Sequence, residues 1–200
     1  VKELIDKAIL ENREVRKREY FYASDVFQCP RKVWYSFKAE GDEPVFDART
    51  LRIFDNGDGV HERLTKYFKQ AGIFIDDEID IPRDELEIHG RLDCLYRWGH
   101  EIRIAEFKSI NMREVKQAKK EHIAQLQLYM HYTKIPKGMV LYESKQTQEL
   151  FAFDIQYDPE QVLTILDWFK DLKKDIDEDT LPKVNYAKRA YPCSTPRGFV

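Results

Sequence analysis

The sequence predicts one α/β domain, a mixed sheet of about five strands with helices on both faces. Three observations carry this. A helical period runs to Gln70 and is cut by Gly72. Alternation then takes over from Ile73 to Ile110, in the manner of a three-stranded meander. Finally, one long helical stretch separates the meander from a hairpin, which is how a crossover reads in sequence.

Each element has a local reason. Residues 2 to about 19 form a charged helical pattern with a thin apolar stripe of Leu4, Ile5, Ala8 and Ile9. Ser24 is an N-cap residue type for a second helical stretch, and Pro30 suits the first turn of a short helix through Trp34 and Phe37. Residues 41–44 are a loop. From about 51 to 70 the period is helical, with Phe54, His61, Leu64 and Phe68 roughly along one stripe. Ile73, Ile75 and the Ile79/Ile81 pair make a strand that Pro82 closes. Residues 88–98 and 102–110 are two more strands around a tight turn at Gly99-His100. A helix is expected over about 113–132, ending before Pro136, then strands near 139–144 and 150–155 and a last helix over 159–176. The tail from Thr180 is irregular.

With 200 residues, no repeat and no linker, the chain is expected to be a single domain over 1–200. Its parts are an N-terminal helical region (1–50), a core (51–158) and a C-terminal helix and tail (159–200). Net charge is −3, so no global positive field draws nucleic acid to the chain and any such site must be local. The apolar runs are too short to cross a bilayer and no signal-peptide pattern opens the chain. Three cysteines, an odd count, fit a reducing compartment better than a disulfide framework, and the cytoplasm (a host's, for a viral protein) is the default. The chain opens at Val1 rather than Met, and Cys193 lies near an abrupt end, so residues are expected to be missing from one or both termini.

The informative arithmetic concerns the meander. A two-residue loop at Gly99-His100 sets Trp98 opposite Glu101, and counting back along both strands sets Asp93 opposite Glu106. Opposed residues have Cβ atoms roughly 4.5–5.5 Å apart, close enough for two carboxylates to repel unless a positive group sits between them. Lys108 emerges two residues beyond Glu106 on the same face. A solvated face that scatters acids and bases by chance is the competing reading in a chain that is 34% charged. Against it, Ile102-Arg103-Ile104-Ala105 and Phe107 read as a covered strand, and Gly90-Arg91-Leu92-Asp93 brings the second acid independently. His61 is either a satisfied core histidine or a ligand; Gly57 and Gly59, costly in a helix, suggest a close backbone approach before it.

These residues, in this order, resemble the RecB-like branch of the PD-(D/E)XK nucleases. The matching string is Gly57-x-x-x-His61, Gly90-x-x-Asp93, Glu106-Phe107-Lys108 and Gln125-x-x-x-Tyr129, within a resemblance from about residue 24 to 153 that includes Tyr142-Glu143-Ser144-Lys145. No single element is specific; four in order are. The similarity points to the iron–sulfur nucleases of CRISPR adaptation and to related viral and bacterial exonucleases. It implies a restriction-endonuclease-like core, with a divalent metal held by His61, Asp93, Glu106 and the backbone carbonyl of Phe107. Oxygen donors suit magnesium, and an imidazole makes manganese attractive as well. Lys108 would orient or activate the attacking water and offset transition-state charge, while Gln125, Tyr129 and Lys145 would position the phosphate or the lysine's surroundings.

Two departures stand out. Leu92 replaces the proline of the motif's name. Relatives with an iron–sulfur cluster use four cysteines, one before the first core helix and three near the C-terminus. Here Cys29 matches the first and Cys193 could match the second, while Cys94 reads as a small buried apolar residue. Either the cluster is absent or its other ligands lie beyond Val200. For substrate, Arg113, Lys116 and Lys120 fall on one face of the expected helix, as a phosphate track or as a solvated face. Tyr20-Phe21-Tyr22 and Trp34-Tyr35 are core aromatics or base-stacking ones.

The expected function is therefore a metal-dependent DNA exonuclease acting on single strands or ends. It would serve DNA processing, recombination or repair, or CRISPR adaptation, with protein partners of those pathways. The alternative is a non-catalytic DNA-binding or assembly subunit that keeps the nuclease fold, and an RNA substrate is a third reading.

Overall fold

The computed structural model describes residues 1–11, 18–38, 46–82 and 84–183. Helix α1 (Lys2–Glu11) is followed by a short strand β1 (Phe21–Tyr22), a 3-10 turn (Ala23–Asp25), α2 (Pro30–Lys38) and the long α3 (Ala48–Gln70). Strands β2 (Phe74–Asp80), β3 (Ile88–His89), β4 (Arg91–Trp98) and β5 (Glu101–Ile110) come next. Helix α4 (Lys120–Thr133) leads to β6 (Lys137–Ser144) and β7 (Leu150–Gln156), and α5 (Pro159–Asp177) completes the described core.

The main sheet has the order β2-β4-β5-β6-β7. Only β5 and β6 run parallel, because α4 crosses over between them. The mixed five-stranded α/β architecture is the one the sequence predicts. Two local signals hold as well: Gly72 follows the end of α3 at φ +70°, and Pro159 opens α5. Helix α3 itself starts at Ala48, before the expected 51, because Asp47 caps it by accepting the Thr50 N–H at 2.7 Å.

The sheet separates two apolar cores. On one face Ile104, Val140 and Tyr142 pack with Leu126 and Leu128 of α4 and Ile165 and Phe169 of α5. On the other, Cys94, Tyr96, Ala105, Phe107 and Leu141 pack under Val60, Leu64 and Phe68 of α3. Alternation along β5 thus feeds Ile104 to one core and Ala105 and Phe107 to the other. A strand covered on both faces is where a buried charged group is most expensive, and Glu106 lies on this one.

Several expectations are corrected. The helix expected over about 113–132 begins only at Lys120, and residues 111–119 are irregular. Tertiary contacts override the helical pattern there: Val115 and Ala118 are buried as loop anchors, and the Tyr142 hydroxyl takes the Lys119 N–H at 3.0 Å. Arg113, Lys116 and Lys120 therefore share no helix face. Ser24 lies inside the 3-10 turn rather than before a helix. The strand expected over 88–98 is broken at Gly90 into β3, which pairs in parallel with β1, and β4. Leu4 and Ile5 face solvent, and α1 is tied instead by Asp6 to Arg52 of α3 at 2.5 Å; residues 12–17 of that expected helix lie outside the described residues. Phe54 is exposed and only His61, Leu64 and Phe68 of its stripe face inward.

Strand β2 is an outer strand, irregular in register between Phe74 and Asp76 and carrying Asp76, Asp77, Glu78 and Asp80. Among the described residues no helix is long and apolar enough to cross a membrane.

Gly138, at the start of β6, leaves no room for a side chain between β5 and α4. A Cβ there would stand 2.8 Å from the Ile104 carbonyl oxygen and 3.1 Å from Leu126. Gly138→Ala is expected to cost about 1–3 kcal/mol, read as a lower urea midpoint with the slope unchanged.

Candidate active site

The site grows from the end of the β4–β5 ladder. Pairing runs from Trp98↔Glu101 to Cys94↔Ala105 around the Gly99-His100 turn. That is the register deduced from sequence. The next pair in the series is Asp93 and Glu106, and here the ladder stops. Asp93 Oδ2 instead accepts the Phe107 N–H at 2.6 Å, so a side chain replaces the missing backbone bond and pins the carboxylate against β5.

Glu106 is 0% exposed and the Asp93 side chain 11%. Lys108 Nζ lies 2.5 Å from Glu106 Oε1. Neither Glu106 oxygen nevertheless has a hydrogen-bond partner, so the ammonium compensates by charge with poor alignment. Burial, then the Asp93 charge, pushes Glu106 up to about 8. Burial also pushes Asp93 up to about 6, against the pull of Lys108 and the Phe107 N–H. Burial opposes the Lys108 charge, but Glu106 and Asp93 outweigh it and hold the lysine above its ordinary range. It is an ammonium, a donor rather than a base.

Helix α3 delivers His61, whose Nδ1 stands 3.3 Å from Asp93 Oδ1. Burial, then the Lys108 charge, lowers its pKa and keeps the imidazole neutral, the form that binds metals. From the other face, α4 presents Gln125, whose Nε2 donates to the Tyr129 hydroxyl at 2.8 Å. Tyr129 packs against Gly90, where a Cβ would come within 2.7 Å of its ring. That contact gives the Gly90-x-x-Asp93 spacing a physical reason.

Four separated sequence segments thus meet at one place. Lys145 does not join them: it is exposed, just past the end of β6. Cys94 faces the α3 core, and burial pushes its thiol up to about 12, as befits a packing residue. Cys29 stands immediately before Pro30 at the start of α2. Cys193 falls outside the described residues, so the pairing of these two cysteines in a cluster remains a reading of the sequence alone.

Glu78 was not anticipated. Asp77 pairs with Cys94 and Ile79 with Leu92, which puts Glu78 across from Asp93. Its φ of 54° is strained for a residue within a strand, and it pairs with Arg91. Together with Asp58, His61, Glu62, Asp77 and Asp93 it lines a cleft of about 840 Å³. The acidic run Asp76-Asp77-Glu78 in a strand was the available signal.

The donor set fits a divalent cation. Glu106 offers two buried oxygens without hydrogen-bond partners, Asp93 lies beside it, and a neutral imidazole is in reach. Among the described residues no group of three or more His, Cys, Asp or Glu side chains is already arranged to hold a metal ion. An ion such as magnesium needs none, because it keeps several waters and uses one or two carboxylates.

A model of the PD-(D/E)XK nuclease superfamily matches residues 10–196. The chain belongs to that superfamily. No curated protein sequence matches it. Among solved structures, the protein SSO0001 has a TM-score of 0.62 at 20% identity, with 87% of each chain covered. An alkaline exonuclease from Laribacter hongkongensis has a TM-score of 0.62 at 15% identity over 88% of this chain and 93% of that one. A phage-related exonuclease from Haemophilus somnus has 0.51 at 14%, covering 80% and 94%. At these identities the likeness is one of fold.

The buried acids leave a signature in stability. Folded Glu106 titrates above its ordinary value of 4.5, near 8, so the native state keeps a proton that the unfolded chain releases. Its contribution is complete below about pH 4.5 and is lost as pH rises through about 8. Denaturation in EDTA should show the unaltered protein losing stability relative to Glu106→Gln from pH 5 to 8. Parallel profiles would refute the raised pKa.

Proposed function

We propose that this nuclease is a metal-dependent deoxyribonuclease, an exonuclease on single strands or DNA ends, with Asp93, Glu106 and Lys108 at its centre. The observation that carries the reading is the convergence of Asp93 and Glu106 at the splayed end of β4 and β5, with an ammonium 2.5 Å from the buried glutamate. Structural neighbours described as exonucleases, one of them solved in complex with dAMP, support the same substrate class.

The acids, His61 and the Phe107 carbonyl would hold the cation, magnesium or manganese. When bound, the ion supplies Lewis-acid polarisation of the phosphodiester and lowers the pKa of water. The chain's own residues do the rest. Lys108, held protonated, donates toward the phosphoryl oxygen or the incoming water and offsets negative charge as it develops. The Phe107 N–H fixes one Asp93 oxygen and leaves the other toward His61. Gln125 and Tyr129 close the α4 side by packing and by their mutual hydrogen bond.

Labelled single- and double-stranded DNA should be degraded in magnesium or manganese and spared in EDTA. Lys108→Ala and Asp93→Asn are each expected to lower the rate by about 100-fold or more, with circular dichroism unchanged. Full cleavage by either variant would dismiss the assignment; DNA binding without any metal-stimulated cleavage by the unaltered protein would favour a non-catalytic subunit.

A further inference from the structure

The cleft beside Asp93 repels a polyanion. It gathers Asp58, Glu62, Asp77, Glu78 and Asp93, and two of its three cations are engaged, Lys69 by Asp77 and Arg91 by Glu78. A substrate made of phosphates needs positive charge elsewhere, close to Lys108, in a chain whose net charge is −3.

That charge lies just past Lys108. After Ile110 the chain enters the irregular segment 111–119 and then α4, and this stretch carries Arg113, Lys116, Lys119 and Lys120. Lys145 sits beside its start, because its N–H donates to the Ile110 carbonyl at 2.8 Å. Ile110 is two residues beyond Lys108, or about 7 Å along a strand. All five basic residues are exposed. Among the described residues none of them belongs to an ion pair, whereas Arg18, Arg52, Arg63, Arg91 and Arg103 are paired with acids.

The segment is also held in place. Buried Ser144 donates from its hydroxyl to the Met112 carbonyl at 2.7 Å, and Gln146 donates to Asn111 Oδ1 at 3.1 Å. At the other end the Tyr142 hydroxyl accepts the Lys119 N–H and lies 2.7 Å from His122 Nδ1. Val115 and Ala118 anchor the middle in the core. Tyr142 is moreover the Cα partner of Lys108 across β5 and β6. The backbone bearing the unpaired charges is thus fastened to the strand that neighbours the candidate catalytic lysine. The backbone of this stretch therefore needs little further ordering when a ligand arrives, and the cost that remains lies in the exposed side chains.

We propose that residues 111–120, with Lys145, are the track that grips the phosphates of a DNA single strand leading to Lys108. This inference rests on the nuclease reading of the site. It replaces the helix face expected from the sequence with a stapled loop.

The test separates the two claims. Binding of a fluorescein-labelled oligodeoxynucleotide single strand is measured in the Asp93→Asn protein across salt concentrations, beside the same protein carrying Arg113→Gln, Lys116→Gln and Lys120→Gln. Each phosphate contact on a single strand contributes about 0.7 to the slope of log affinity against log salt. Removing three should flatten the slope by about 2 and weaken binding at least tenfold at low salt. Lys134→Asn, at the far end of α4, should leave slope and affinity unchanged. Equal slopes with and without the three substitutions, or no strand binding by the parent, would overturn the track. If the unaltered protein fails to cleave DNA while the slopes differ as expected, the proposed activity falls and the track stands.

Discussion

A carboxylate buried without a hydrogen-bond partner is the constraint around which this protein is arranged. Glu106 sits within a strand covered on both faces, where an isolated charge is among the costliest groups a fold can hold. Three features limit the cost. Lys108 lies on the same strand, one step along the same face. Asp93, which would repel it, is drawn toward the Phe107 N–H. His61 is kept neutral. A group retained under such conditions is a candidate for chemistry rather than for stability, since apolar packing would serve the fold better.

The architecture follows from delivering groups to that point from two directions. Helix α3 crosses one face and carries His61; α4 crosses the other and carries Gln125 and Tyr129. The parallel β5–β6 pairing makes this possible, because the return journey between parallel strands requires a crossover helix. The same pairing sets Tyr142 beside Lys108 and Ser144 beside Ile110, so one short stretch of β6 holds both the lysine's neighbour and the loop that follows it. At Gly90 a side chain would meet Tyr129 of α4, and at Gly138 it would meet the Ile104 carbonyl of β5 and then Leu126 of α4.

Much of this was legible in the sequence because it depends on periods and counts. The Gly99-His100 turn sets the β4–β5 register by simple arithmetic, and with it the approach of Asp93 to Glu106. Gly72 and Pro159 mark element ends through conformational preferences that act locally. What escaped depends on distant contacts. Residues 113–119 carry a helical pattern, yet a tyrosine hydroxyl more than twenty positions away takes the backbone donor at Lys119, and the helix starts late. Glu78 looked like one more charge in an acidic strand; only the pairing of β2 with β4 reveals what it faces. Leu4 and Ile5 look like a buried stripe, but no partner covers them among the described residues.

The outermost strand on the β2 side has a consequence for how the protein behaves in a crowded solution. A free sheet edge offers unpaired amides and carbonyls to any passing extended peptide. Here that margin carries four carboxylates within seven residues and an irregular register near its start. A second copy approaching edge to edge would set like charges against each other and find the spacing mismatched. The acidity of this margin thus guards against fibrous self-association.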